Sequence, residues 1–226
     1  LNCSTGITII DTDVKNMIAI IDYNVGNLLS AQNAFGFLGA DTIVTGDKRL
    51  IEVSDAIILP GVGAFPDAME SLKKTGLDKI IKDQVKKGKP LLGICLGMQL
   101  LFETSYEIRP CEGLGLIKGE IQKIQTTYKI PHMGWNSLNF DHPSSMFDGI
   151  QEGAYVYFVH SYCAHVTCKE DLVASCDYGS KITAAVAHDN VWGTQFHPEK
   201  SSTVGLQILK NFLTFVEKAK ESENKK

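Results

Sequence analysis

Apolar positions along this chain fall alternately into short unbroken runs and into stripes at helical spacing. Residues 17–21 form an unbroken apolar run of the kind that makes a strand buried on both faces. Residues 22–27 follow as a polar loop, and Asn27 stands where it can cap a helix running to about Leu38. Residues 42–45 and 55–59 are two more short apolar runs. Pro60-Gly-Val-Gly63 then breaks the pattern, Pro66 takes a favoured first-turn position of a helix, and residues 77–87 are amphipathic. Residues 91–94 read as a buried strand entering a glycine turn that carries Cys95, followed by the first turns of an apolar helix as far as Phe102. Strands alternating with helices predict an α/β fold with a mostly parallel sheet covered on both faces. The working site of such a sheet lies at the carboxyl ends of its strands, where Pro60–Gly63 and Cys95 would both sit.

Beyond Phe102 the pattern changes. Residues 114–125, 155–159, 164–167, 172–176, 182–187 and 191–196 are closely spaced strand candidates with turn signals between them, so an added antiparallel region is expected. A last helix over residues 203–218 turns Leu206, Leu209, Leu213 and Val216 to the core, and residues 219–226 read as a charged tail fraying into solvent. Residues 1–16 precede a natural strand start at Met17 and read as an upstream extension. The expected organisation is one domain over residues 17–218.

Charge and composition narrow the partners. With 22 basic and 26 acidic residues among 226, the net charge of −4 and the lack of a basic block do not indicate nucleic acid or an anionic membrane. Six cysteines at positions 3, 95, 111, 163, 168 and 176 make neither a disulfide framework nor a paired zinc pattern. A soluble protein of the reducing cytoplasm is expected, with no signal peptide and no spanning segment.

Two stretches carry chemistry. Cys95, flanked by Gly93 and Gly97 at a strand-to-helix turn, has the form of a nucleophile elbow, and the start of a helix favours a thiolate. A buried structural cysteine is the competing reading. In Gln195-Phe-His-Pro-Glu-Lys200, Pro198 keeps His197 extended, so His197 and Glu199 leave the chain on the same side. A carboxylate there can fix the imidazole tautomer and leave the other nitrogen to take a thiol proton; a surface turn with a structural histidine is the alternative. His165 between Cys163 and Cys168 invites a metal reading, but strand alternation should split the three between faces, and no metal is expected. His132, His142, His160 and His188 read as structural or interface residues, and Met98 and Leu100 as core.

The block Gly93-Ile-Cys-Leu-Gly-Met-Gln99, with Phe196-His-Pro-Glu199 about a hundred residues later, resembles the class I glutamine amidotransferases. Within that family, residues 20–28, Pro60-Gly-Val-Gly-Ala-Phe65, Pro131-His-Met-Gly-Trp-Asn136 and Tyr157-Phe-Val-His-Ser-Tyr162 resemble the branch that supplies the glutaminase subunit of imidazole glycerol phosphate synthase. Asn24 stands where this branch usually has glycine; asparagine tolerates positive φ, so the turn can survive.

The resemblance implies a flavodoxin-like fold and a Cys95–His197–Glu199 triad that hydrolyses glutamine through a glutamyl thioester, with no cofactor. It further implies an oxyanion hole from the backbone N–H of Leu96 and one near Val62, in a glycine turn held misoriented until the partner is loaded with substrate. Gly63, Gln99, Glu107, Ser161 and Tyr162 match positions that hold glutamine. Asn27, Trp135 and Lys200 match a face docking on a (β/α)₈-barrel cyclase, forming a heterodimer through which ammonia passes to a ribulosyl intermediate of histidine biosynthesis. The rivals are a different amidotransferase subunit or free-standing amidase, and a non-catalytic module that keeps the fold.

Overall fold

The computed structural model describes residues 17–24 and 27–223; the extension expected at residues 1–16 lies outside the described residues. The first half supplies β1 (Met17–Ile21), α1 (Leu28–Phe37), β2 (Asp41–Thr45), α2 (Lys48–Val53), β3 (Ala56–Gly61), α3 (Phe65–Thr75), α4 (Leu77–Lys86) and β4 (Leu91–Cys95). After it come α5 (Leu96–Gln99), β5 (Phe102–Ser105), β6 (Cys111–Glu112), β7 (Ile117–Lys123), β8 (His132–Ser137), β9 (Asn139–Phe140) and β10 (Tyr155–His160). The chain ends with β11 (Tyr162–Val166), β12 (Leu172–Asp177), β13 (Lys181–His188), β14 (Val191–Thr194) and α6 (Ser202–Glu223).

Eight strands build the main sheet in the order β2-β1-β3-β4-β14-β13-β12-β9. Pairing is parallel from β2 across to β14 and antiparallel from β14 to β9, which is the expected fold class. Period-two alternation sends successive residues to opposite faces. Ile18, Ile20 and Ile58 pack beneath α1 and α6 with Phe35, Leu209 and Phe212. Ala19, Ile21, Ile57 and Leu59 pack beneath α3 and α4 with Met69, Leu72 and Ile81. Two smaller sheets complete the molecule: β11-β7-β5-β6, and a separate ribbon of β8 and β10.

Several local expectations are corrected. The second half is not wholly antiparallel, since β14 returns to lie parallel to β4, and β5 runs parallel to β7. Pro60 does not end its strand: β3 continues to Gly61. Pairing with β1 stops at Ile58, so nothing requires an N–H from Pro60, and Tyr23 Oη donates to its carbonyl at 2.8 Å. Asn27 occupies the cap position of α1 without making a side-chain capping bond. The apolar helix after Cys95 lasts only four residues, because Phe102 is drawn into β5 by pairing with Ile117. Helix α6 continues to Glu223, past the expected start of the tail at residue 219, with Lys220 2.9 Å from Asp55. Its core stripe is Ile208, Leu209, Phe212 and Val216, while Leu206 and Leu213 are only partly buried. Asn24 takes the positive φ, 65°, that its position demands. Among the described residues no helix is long and apolar enough to cross a membrane.

Candidate active site

Cys95 closes β4 with φ 56° and ψ −113°, a conformation that costs a non-glycine residue roughly 1–3 kcal/mol. The turn is possible because its neighbours lack side chains. A Cβ on Gly97 would stand 1.7 Å from the Leu59 carbonyl oxygen, and one on Gly93 would stand 2.7 Å from that of Gly97. Helix α5 therefore seats directly on the backbones of β3 and β4, and the thiol, 7% exposed, is held at the strand end. A four-residue helix has few aligned peptide dipoles, so the expected macrodipole contribution is small; the first N–H groups of the turn remain. Cys95 Sγ lies 3.9 Å from the Val159 carbonyl oxygen and 3.8 Å from Gln195 Nε2.

His197 enters from the end of β14. Its backbone is extended, φ −97° and ψ 98°, as a residue before proline requires. The Glu199 carboxylate accepts from Nδ1 at 2.8 Å, and both side chains are 3% exposed. That bond leaves Nε2 free to face Cys95 across the cavity that both residues line. The His197 N–H donates to the Tyr157 carbonyl at 3.0 Å, and its own carbonyl accepts from Ser201 Oγ at 2.6 Å, so the ring is anchored through its backbone as well. Burial alone would lower the His197 pKa. Interaction with Cys95 and Glu199 on its two sides overrides it and pushes the imidazole up to about 9. An imidazole that takes and holds a proton at neutral pH is what a thiol nucleophile needs beside it.

A cavity of about 340 Å³ opens on this pair. Val62 and Gly63, Leu96, Gln99, Glu107, Ser161 and Tyr162 all line it together with Cys95 and His197. Gly63 has φ +97°, which favours glycine there. The Glu107 carboxylate accepts from the Phe65 N–H at 2.8 Å; burial raises its pKa, that bond opposes the rise, and Asp67 adds to it. Gln99 donates from Nε2 to the Tyr162 carbonyl at 3.1 Å and to Gln195 Oε1 at 2.9 Å. Both its N–H groups are thus engaged, and toward a ligand it offers only its oxygen.

Sequence reasoning missed four residues here. Pro131, Val159 and His160 line the cavity, and Gln195 joins Gln99 to the Cys95 sulfur. His160, set aside above as structural or interfacial, had the available signal of standing directly before Ser161 and Tyr162. Gln195 had that of lying two residues before His197.

None of the three expected docking residues lines the cavity. Trp135 is 53% exposed and lies on β8, its ring edge-on to Tyr157 at 6.1 Å. Lys200 is exposed and next to Glu199, while Asn27 is partly buried and borders, with Val62, His197 and Glu199, a small hollow behind the triad. Alternation places Cys163 and His165 on one face of β11, 3.9 Å apart, while Cys168 lies beyond the strand's end at Val166. Among the described residues no cluster could hold a metal ion, and the five described cysteines are free.

The family model of glutamine amidotransferase class-I matches residues 19–215. The chain is 52% identical over 208 residues to the imidazole glycerol phosphate synthase subunit HisH of Bacillus cereus strain ATCC 14579, covering 92% of this chain and 99% of that one. It is 50% identical over 208 residues, with the same coverage, to the subunit of that name from Bacillus thuringiensis strain Al Hakam. Among solved structures, PurLQS from Thermotoga maritima superposes with a TM-score of 0.71 at 20% identity, covering 89% of this chain and 99% of that chain. A protein of the GMP synthase type from Thermoplasma acidophilum gives 0.72 at 21%, covering 93% and 98%. These two likenesses show the fold. The chain belongs to the class-I glutamine amidotransferases and, within them, to the family of the imidazole glycerol phosphate synthase subunit HisH.

Proposed function

We propose that the domain of residues 17–218 is the glutaminase half of imidazole glycerol phosphate synthase and that Cys95, His197 and Glu199 carry its chemistry. The observation that supports this most is the position of His197, hydrogen-bonded to Glu199 through Nδ1 and lining one cavity of about 340 Å³ together with Cys95. His197 takes the thiol proton as sulfur attacks the side-chain amide carbon. The same proton passes to the departing nitrogen, which leaves as ammonia with a glutamyl thioester behind; water, activated by the same imidazole, then releases glutamate. The N–H of Leu96 and one from the Val62–Gly63 turn receive the tetrahedral oxyanion, each worth about 3 kcal/mol in the transition state. Glu107 and the Gln99 oxygen accept from the substrate's ammonium group, and Ser161 and Tyr162 hold its carboxylate end.

The ammonia is consumed by a partner. The relatives carry the name of one subunit of a synthase, and the reading for this chain is a heterodimer in the cytoplasm with a (β/α)₈-barrel cyclase. That cyclase converts a ribulosyl intermediate to imidazole glycerol phosphate and an aminoimidazole carboxamide ribotide. Asn27, Trp135 and Lys200 make the docking face.

Glutamate release from glutamine, by the purified chain alone and then with the cyclase and its ribulosyl ligand, tests the reading. Weak turnover alone and strong activation by the loaded partner are expected. Rapid turnover by the lone chain would point to a free-standing amidase, and no turnover in either case would sink the assignment.

A further inference from the structure

The ribbon of β8 and β10 buries two histidines that the acyl transfer does not use. His132 and His160 are register partners, with His132 Nδ1 3.0 Å from His160 Nε2. They are 2% and 6% exposed. His160 Nδ1 lies 2.8 Å from the Tyr162 carbonyl oxygen, which can only accept, so His160 carries its proton on Nδ1. Its Nε2 is then an acceptor, and His132 must donate from Nδ1. At the far end Asn136 Nδ2 lies 3.2 Å from His132 Nε2. The Asn136 amide cannot be reversed, because Nδ2 also donates to the Asp177 carbonyl at 2.8 Å and Oδ1 accepts from the Ser137 N–H at 2.8 Å. Every proton is thereby assigned, and the bonds run one way, from Asn136 through His132 and His160 to Tyr162.

Both ends of this chain are placed for use. At one end the Tyr162 carbonyl also accepts from Gln99, so both its lone pairs are engaged and the corner of Ser161 and Tyr162 is fixed against the pocket. At the other, Asn136 is the neighbour of exposed Trp135 on the same strand. The His132 ring is clamped between Phe158 and Tyr178, stacked at 4.7 Å and 4.0 Å. The arrangement requires two neutral rings, since a further proton would set two donors against each other at 3.0 Å. Burial acts in that direction, pulling His132 down to about 4 and, with the Tyr162 carbonyl opposing, His160 to about 3.

We propose that His132 and His160 are positioning residues for the glutaminase reaction, their directed hydrogen-bond chain fixing the Ser161–Tyr162 corner that receives the polar ends of glutamine. The proposal deepens the function given above and takes the identity of the ligand from it.

Imidazole nitrogen chemical shifts of the free chain test the proton assignment independently of what the site binds. Two neutral rings, both protonated on Nδ1 at neutral pH, are expected; a charged ring, or a His160 protonated on Nε2, overturns the proposal. Kinetics of the complex with the cyclase and its ligand test the role. His132→Leu and His160→Leu should raise the KM for glutamine about tenfold, with kcat within about twofold and ammonia-dependent synthesis unchanged. His160→Asn, whose amide can present an N–H in place of Nδ1–H, should recover most of the loss. An unchanged KM, or activity that falls only in step with the folded fraction, overturns it. Absence of glutamine hydrolysis by the wild-type complex would overturn the functional reading together with this role, whereas the wrong tautomers overturn this proposal alone.

Discussion

The two walls of the pocket are built in opposite ways. The wall that holds Cys95 grows from the middle of an eight-stranded sheet, where glycines bring α5 onto the backbones of β3 and β4 with no space for even one added methyl at Gly97. The facing wall hangs on a ribbon of two strands that pairs with neither larger sheet, and its outer side exposes Met133, Trp135 and Tyr155. Two strands alone are marginal in water. This ribbon is held by the His197 N–H on the Tyr157 carbonyl, by the Tyr157 N–H on Ser201 Oγ, and by Phe158 packed edge-on against Phe196 at 5.7 Å. Cys95 thus stands at the centre of the main sheet, whereas the ribbon that leads to Ser161 and Tyr162 presents an exposed outer face.

Removing the nucleophile gives the largest effect. Cys95→Ala in the complex should lower glutamine-dependent synthesis on the order of 10⁴-fold or more and leave ammonia-dependent synthesis intact, since the proposed function gives the acceptor chemistry to the partner. Equal loss of both activities would mean that Cys95 serves folding or docking. The stiffness of its wall is tested by two glycines. Gly97→Ala drives a methyl into the Leu59 carbonyl and should cost about 3 kcal/mol or more in urea denaturation. Gly63→Ala meets nothing within 4 Å and carries only the strain of φ +97°, roughly 1–2 kcal/mol. Equal costs would mean that the tight seating of α5 at Gly97 adds nothing beyond ordinary backbone strain.

That contrast also explains what the sequence made legible. The stiff wall announces itself locally: residues 91–94 are apolar, Gly93 and Gly97 flank Cys95, and Pro198 sets His197, so strand, elbow and triad follow from neighbours in the chain. The ribbon does not. Its inward positions on β8 are His132, Gly134 and Asn136, so the alternation that marks a strand is inverted, and a polar loop is the natural reading of residues 131–136. Their burial is set by Phe158 and Tyr178, which arrive from distant parts of the chain. Helix α2 is hidden for a different reason, being six residues long, although Asp47 caps it through the Arg49 N–H. The shortness of α5 is tertiary, because residues 96–102 are apolar enough for a helix until β7 claims Phe102.

Glu199→Gln sharpens the stiff side further. The amide keeps the size of the carboxylate and removes its charge, so the His197 pKa should fall from about 9 and kcat should drop about 10²-fold with little change in KM. A titration of His197 that does not move would mean that Cys95 alone holds its proton. On the ribbon, Trp135→Ala should leave the melting temperature of the lone chain unchanged, because the side chain is half in solvent. Binding to the cyclase should weaken by about 2 kcal/mol, roughly thirtyfold in Kd. Undiminished binding would move the docking face elsewhere.

The smallest expected difference separates the walls by pH. His132 and His160 have folded values of about 4 and about 3, below the ordinary 6.5, so on acidification the unfolded chain takes up protons that the folded ribbon refuses. Stability therefore falls as pH drops below 6.5 toward 4, at about 1.4 kcal/mol per pH unit for each group once the unfolded ring is fully charged. His197 behaves oppositely. Its folded value of about 9 lies above 6.5, so its contribution is complete below 6.5 and is lost as pH rises toward 9. The ribbon should accordingly weaken in acid and the triad wall in base. Thermal melts across this range should show a shallower acid limb for His132→Leu, by about one imidazole's slope, with the alkaline limb unchanged. An acid limb that keeps its slope would assign acid sensitivity to carboxylates shared by both walls, and the two would no longer be separable by pH.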